Sequence, residues 1–239
     1  MKPSILITNG VVMTFGPSAR VFDRGAVLVR DGLVAAVGPM ADVEASAAGI
    51  PDVKTIDARG AVVTPGLINA HMHLYSTFAC GIACATSHNF QEILENLWWR
   101  LDKAMTLDDT RLSALVPAAR CLKAGVTTII DHHASYGKTR GSLNVVADAC
   151  RQVGLRAAMA YEVSDRWGEA EMRAAVDENA ASIAGLDPRD TDIAGLFGLH
   201  ASFTLSAATL ALCREAAKGA GFHIHCAEDK ADAEAARRE

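Results

Sequence analysis

The chain has 239 residues, 50% of them hydrophobic and 21% charged, which suits one large domain or two modest ones around a substantial core. Its formal net charge of -5 and pI near 5.9 argue against a nucleic-acid backbone or an anionic membrane as partner. No apolar run is long enough to span a bilayer, and the first apolar run breaks at Asn9-Gly10 without a small-residue cleavage site. A cytoplasmic protein is therefore expected.

Residues 1–64 read as short β-rich runs: Ile5–Phe15, then Ala26–Arg30 and Leu33–Val37 around Asp31-Gly32. Asp-Gly between apolar runs marks a hairpin, because both turn positions need positive φ. Val53–Asp57 and Ala61–Thr64 flank Ala58-Arg59-Gly60. The expectation is a small antiparallel sheet forming half of a β-sandwich. After Pro65-Gly66 the rhythm changes. Strand-like runs at Leu67–His73, Val126–His132, Leu155–Val163, Asp192–His200 and Phe222–Ala227 alternate with helical segments. These segments are Asn89–Met105 with Leu107–Lys123, Ser142–Val153, Glu169–Ala184 and Ser206–Lys218, with a charged helical run from Lys230 to Glu239. Thr106 with Asp109, then Gly125, supply start and stop signals; so do Ser142 with Gly154 and Ser206 with Gly219.

Repeated strand–helix alternation argues for a parallel sheet with right-handed crossovers. A closed (β/α)8 barrel has eight such units in about 250 residues. Five units begin here, and the first strand–helix turn has no Gly-rich phosphate loop to support a nucleotide-type open sheet. The expected fold class is α/β. Residues 65–239 would form an incomplete TIM-type barrel, truncated before its last three units, behind the sandwich part at 1–64.

Six cysteines (Cys80, Cys84, Cys121, Cys150, Cys213, Cys226) spread through helix and strand segments fit reduced thiols better than a disulfide framework. Cys80 and Cys84 have ligand-like spacing but no second Cys pair.

His71-Met72-His73 follows Pro65-Gly66 at the end of the first barrel strand. Residues i and i+2 of a strand share a side, so both imidazoles project together toward the rim where barrel active sites lie. Such a pair suits a divalent transition metal. His223-Ile224-His225-Cys226-Ala227-Glu228 repeats the pattern on the fifth strand. Water on a metal has its pKa lowered to about 7, and its use as a nucleophile needs a carboxylate beside it. Glu228 is placed for that. His200 ends the fourth strand as a substrate-binding candidate. Asp131-His132-His133 closes the second; adjacent residues face opposite ways, so at most one of these histidines looks inward. Ile93, Leu94, Leu97, Trp98 and Leu101 form a helical core stripe in which Trp98 and Trp99 cannot both face one way.

Taken in order, these motifs resemble the amidohydrolase superfamily, in its branch of cytosine, guanine and triazine aminohydrolases and chlorohydrolases. Asn96-Leu97-Trp98-Trp99-Arg100-Leu101-Asp102-Lys103 and Thr127-Thr128-Ile129-Ile130-Asp131-His132-His133 are similar to the SsnA-type aminohydrolases. The resemblance implies His71, His73 and His225 as ligands of one divalent metal, zinc ahead of iron, Glu228 as proton shuttle and His200 at the substrate. His133, Asp131 and His223 stand as supporting residues. No lysine occupies the fourth strand, which argues against the binuclear, carboxylated-lysine branch. The family's strand-six histidine and strand-eight aspartate have no counterpart in this sequence. The implied activity is hydrolysis of a non-peptide C–N bond, deaminating a small nitrogen heterocycle, in a complete protein that forms a homo-oligomer; the N-terminal portion alone would be inactive. Alternatives are a chlorohydrolase or amide hydrolase of the same superfamily, or a natural short form acting as a metal-binding or interaction protein.

Overall fold

Asp31 and Gly32 take φ of 53° and 84° in the computed structural model, the two left-handed positions a tight hairpin turn requires. The structure describes residues 3–237, and the chain divides into two compact units with the boundary after Gly66. In the first unit the turn joins β2 (Val21–Arg30) to β3 (Leu33–Pro39), and β1 (Ile5–Met13) pairs antiparallel with β2. The chain then forms α1 (Met40–Ala47), a helix the sequence reading did not anticipate. It returns as β4 (Lys54–Asp57) and β5 (Val62–Val63), both parallel to β1. The expected all-antiparallel sheet is thus a mixed one. A helical crossover brings the chain back in the direction it left, so β4 must run with β1 rather than against it. Val43 of α1 packs on Leu6, Ala26 and Leu28 to form this unit's core.

The second unit begins with β6 (Leu67–Met72) and continues through a 3-10 turn at Leu74–Ala79. Next come α2 (Phe90–Ile93), a π-helical stretch at Leu94–Trp98, α3 (Trp99–Ala104) and α4 (Leu107–Lys123). Asn89 caps α2 by accepting from the Glu92 N–H, and Thr106 with Asp109 forms a full capping box on α4. Then follow β7 (Val126–His133), α5 (Ser142–Val153), β8 (Arg156–Tyr161) and α6 (Glu169–Ala184). Ser142 does not cap α5 as expected. Gly141 occupies the cap, and the buried Glu178 carboxylate reaches from α6 to the N–H groups of Gly141 (2.7 Å) and Leu143 (2.9 Å).

The fourth strand is broken at Leu196 into β9 (Ile193–Gly195), paired with β8, and β10 (Phe197–Leu199). Asn179 spans the break. Its side-chain oxygen accepts from the Tyr161 and Gly198 N–H groups, and its amide donates to the Tyr161 carbonyl. Gly198 is required there, because a Cβ would lie 2.2 Å from the Tyr161 carbonyl oxygen. After α7 (Ala207–Ala216), capped by Ser206 as expected, β11 (Phe222–Ile224) pairs parallel with β10. This fifth strand ends at Ile224, three residues earlier than the sequence suggests. α8 (Lys230–Ala236) follows, and the expected continuation to Glu239 lies partly outside the described residues.

All pairings in this unit are parallel, and their order follows the chain, β6-β7-β8-β9 and β10-β11, linked by a bridge between Val163 and Leu199. A doubly wound sheet would reverse its order at a switch point; this one winds one way only. The first and fifth strands of a flat sheet would lie nearly 20 Å apart at about 4.8 Å per strand. Yet a His71 nitrogen on β6 lies 3.3 Å from a His223 nitrogen on β11. The sheet therefore curls as an arc of a barrel.

Candidate metal centre

Curling brings six of the eight histidines to one rim: His71, His73, His132, His200, His223 and His225. His71 and His73, two residues apart at the end of β6, project together with ring centroids 4.8 Å apart. The candidate ligand atoms of His71, His73 and His225 all lie within 4.8 Å of one another. His73 Nδ1 is 2.7 Å from the His132 carbonyl oxygen, and His225 Nδ1 is 3.0 Å from that of His200. A carbonyl only accepts, so each Nδ1 carries the proton and, in the neutral ring, each Nε2 is bare. These two Nε2 atoms face each other at 3.2 Å. Two bare lone pairs so close repel unless a cation lies between them. Ligand nitrogens about 2.0–2.1 Å from a tetrahedral zinc stand about 3.3–3.4 Å apart. The donor set fits such an ion, with the backbone carbonyls fixing both tautomers. Burial and the neighbouring imidazoles push His71 down to about 4, and burial lowers His73, so both rings are neutral at pH 7.

The supporting residues divide. Asp131 is fully buried and accepts from the Leu74 N–H at 2.7 Å, fixing the turn that follows His73; burial raises its carboxyl to about 7. His223 bridges two rings, with Nε2 3.3 Å from His71 and Nδ1 3.0 Å from His132. His133 faces the other way, bonded to the Ser135 hydroxyl at 2.9 Å and packed edge-on to Tyr75 and Tyr161. The inward histidine of the pair is His132, with its ring centroid 4.4 Å from that of His225.

Beside the histidines lies a cavity of about 150 Å³ whose walls include Phe90, Leu94, Trp98 and Trp99. Both tryptophans line it. The π-helical stretch at Leu94–Trp98 widens the turn, so adjacent residues are no longer spread as an α-helix would spread them. The floor is ionic. Arg166 pairs with Glu162 at 2.5 Å and with Asp102 at 2.6 Å, and stacks over Tyr136 and Trp99. Burial alone would raise the Glu162 carboxyl, but Arg166 and the nearby histidines hold it down at about 2. Burial wins at Asp102, raising it to about 7. His200 also lines the cavity, with Nδ1 2.7 Å from the Thr204 hydroxyl, and burial lowers it to about 4. Glu228 lies on the cavity wall near enough to His73 to act on its charge. Ala227, just before it, is left-handed at φ 57°. Its N–H is bound by Asp232 of α8, whose carboxylate also accepts from Ser202.

The sequence reading names His133 as the supporting histidine where the structure turns His132 inward, and it passes over Glu162, Arg166, Asp102 and Asp232. One local signal existed: Glu162 and Arg166 are four residues apart just beyond an apolar strand. Asp102 gave none, since its partner is 64 residues away. All six cysteines are free, and Cys80 and Cys84 are exposed.

Residues 62–239 match the amidohydrolase family. The chain belongs to that family. This amidohydrolase chain is 29% identical to a 5'-deoxyadenosine deaminase of Methanosarcina mazei over 231 residues, 95% of this chain and 50% of the relative. It is also 29% identical to a 5-methylthioadenosine/S-adenosylhomocysteine deaminase of Symbiobacterium thermophilum over 237 residues, 98% of this chain and 51% of the relative. The atrazine chlorohydrolase of Arthrobacter aurescens, solved with zinc and atraton, superposes with a TM-score of 0.80 at 22% identity, covering 98% of this chain and 55% of that one. That likeness shows the fold. The amidohydrolase chain spans about half the length of the curated relatives it matches.

Proposed function

We propose that this chain supplies the metal-ligand and proton-shuttle strands of a metal-dependent aminohydrolase that removes an amino group from a small nitrogen heterocycle. The observation that carries the reading is the meeting of His71, His73 and His225, with two bare Nε2 atoms 3.2 Å apart. A divalent cation held there, zinc ahead of iron, would acidify water and polarise the carbon under attack. The rest falls to the chain's own side chains. Glu228 at the cavity wall takes the proton from the attacking water on its carboxylate and returns it to the departing nitrogen. His200 offers a ring nitrogen to the heterocycle's polar edge. Trp98 and Trp99 give the flat apolar walls that a planar ring stacks on and that exclude water.

The test is ammonia release from a panel of aminopurines, aminopyrimidines and aminotriazines, using zinc-loaded protein that contains this chain and a closed barrel. Turnover should vanish on chelation, return with zinc, and fall by a factor of roughly 100 or more in Glu228→Gln. Full activity in Glu228→Gln would remove the shuttle assignment. Chloride released from chlorotriazines without ammonia from any amine would move the reading to dechlorination.

A further inference from the structure

A second group of donors meets on the inner side of His225. The candidate ligand atoms of His132, Glu162 and His225 also lie within 4.8 Å of one another. His132 is fully buried on β7, and its Nε2 has no hydrogen-bond partner. That nitrogen points at Glu162 Oε2 from 3.6 Å, too long for a hydrogen bond but apt for two ligands of one ion with bonds of about 2.1 Å. Arg166 engages the other carboxylate oxygen, Oε1, leaving Oε2 to the histidines. His200 adds a third ring nitrogen, 4.0 Å from the same Oε2. The Thr204 hydroxyl donates to the Ala201 carbonyl, so it accepts from His200 Nδ1, and His200 Nε2 is bare. With the His132 proton on Nδ1, donated to His223 Nδ1, acceptors surround this point. The buried pairing nearby sets two carboxylates, Glu162 and Asp102, against the single guanidinium of Arg166.

We propose that His132, Glu162 and His225 form a second, inner seat for a divalent cation of the zinc type. His225 has one free lone pair, since its Nδ1 is committed to the His200 carbonyl. The inner seat and the His71–His73–His225 seat therefore exclude each other, and one ion has two alternative positions joined at His225. Two imidazoles and a carboxylate are a donor set that zinc accepts. The inner seat depends on the metal-centre reading only through His225.

The experiment is a cobalt(II) titration of the purified chain, followed by visible absorption and by metal analysis after gel filtration. In a His71→Ala/His73→Ala chain, one equivalent should still bind, weaker than in the parent by roughly 100-fold, because loss of even outer-shell partners costs about 10–100-fold. Adding Glu162→Gln to that chain should abolish stoichiometric binding. No bound cobalt in the double variant, or unchanged binding after Glu162→Gln, would overturn the inner seat. Because Glu162 is buried, the triple variant is checked by far-UV circular dichroism. If it is unfolded, anomalous diffraction from zinc-soaked crystals of the double variant decides: a peak between His132 and Glu162 supports the seat, and its absence refutes it. Parent-like affinity in the double variant would instead count against the outer set, so the two readings fail separately.

Discussion

The outer strands of the barrel arc and its central strands carry different halves of the site. β6 and β11 are largely exposed or half-buried along their length, and they or the residues just beyond them hold His71, His73, His223 and His225. The ends of β7 and β8 are buried, and they or the residues that follow hold Asp131, His132 and Glu162. Outer donors stand where an ion can reach them and have few packing duties. Central ones are tied into the core, so their chemistry and the stability of the fold are the same interactions.

The sharpest way to break this contrast is Arg166→Ala, which leaves two buried carboxylates without their cation. It should destabilise the second unit by about 3–5 kcal/mol, read in urea unfolding. A loss below about 1 kcal/mol would mean that the central network is not a structural element. The pH dependence of stability comes next. Asp102 titrates near 7 in the folded chain, above the ordinary carboxylate value. Its stabilising contribution is therefore complete below about pH 4 and is lost as pH rises through 7. Between pH 5 and 8 it should cost about 2–3 kcal/mol, and Asp102→Asn should remove that share of the slope in metal-free thermal melts, leaving the share of Asp131, whose carboxyl is also raised to about 7. Glu162, held at about 2, contributes a constant amount across that window. Glu178→Ala strips two N–H groups at the start of α5 of their acceptor and should cost about 1–3 kcal/mol. His71→Ala, on the exposed outer strand, should change metal-free stability by no more than about 0.5 kcal/mol. A large loss there would erase the distinction between outer and central strands.

What the sequence revealed follows the same division. His71/His73 and His223/His225 were legible because strand geometry alone puts i and i+2 on one side. The capping box at Thr106 and the turn at Asp31-Gly32 were legible for the same reason: short-range geometry dictates them. The Asp102–Arg166 pair and the Glu178 cap were not, since their partners are brought together only by helices packing across the arc. The parallel return of β4 was hidden by the unforeseen α1, a helix whose one buried residue, Val43, gives only a faint amphipathic signal. Trp98 and Trp99 share the cavity because of a π-helical turn that α-helical periodicity does not encode.

Both proposed cation seats pass through one imidazole, so the most direct measurement is the zinc content and affinity of the chain against its His225→Ala variant. The parent should retain one equivalent of zinc through gel filtration, and the variant none, while its far-UV spectrum is unchanged. Zinc bound as tightly without the His225 ring would contradict a metal centre at this rim.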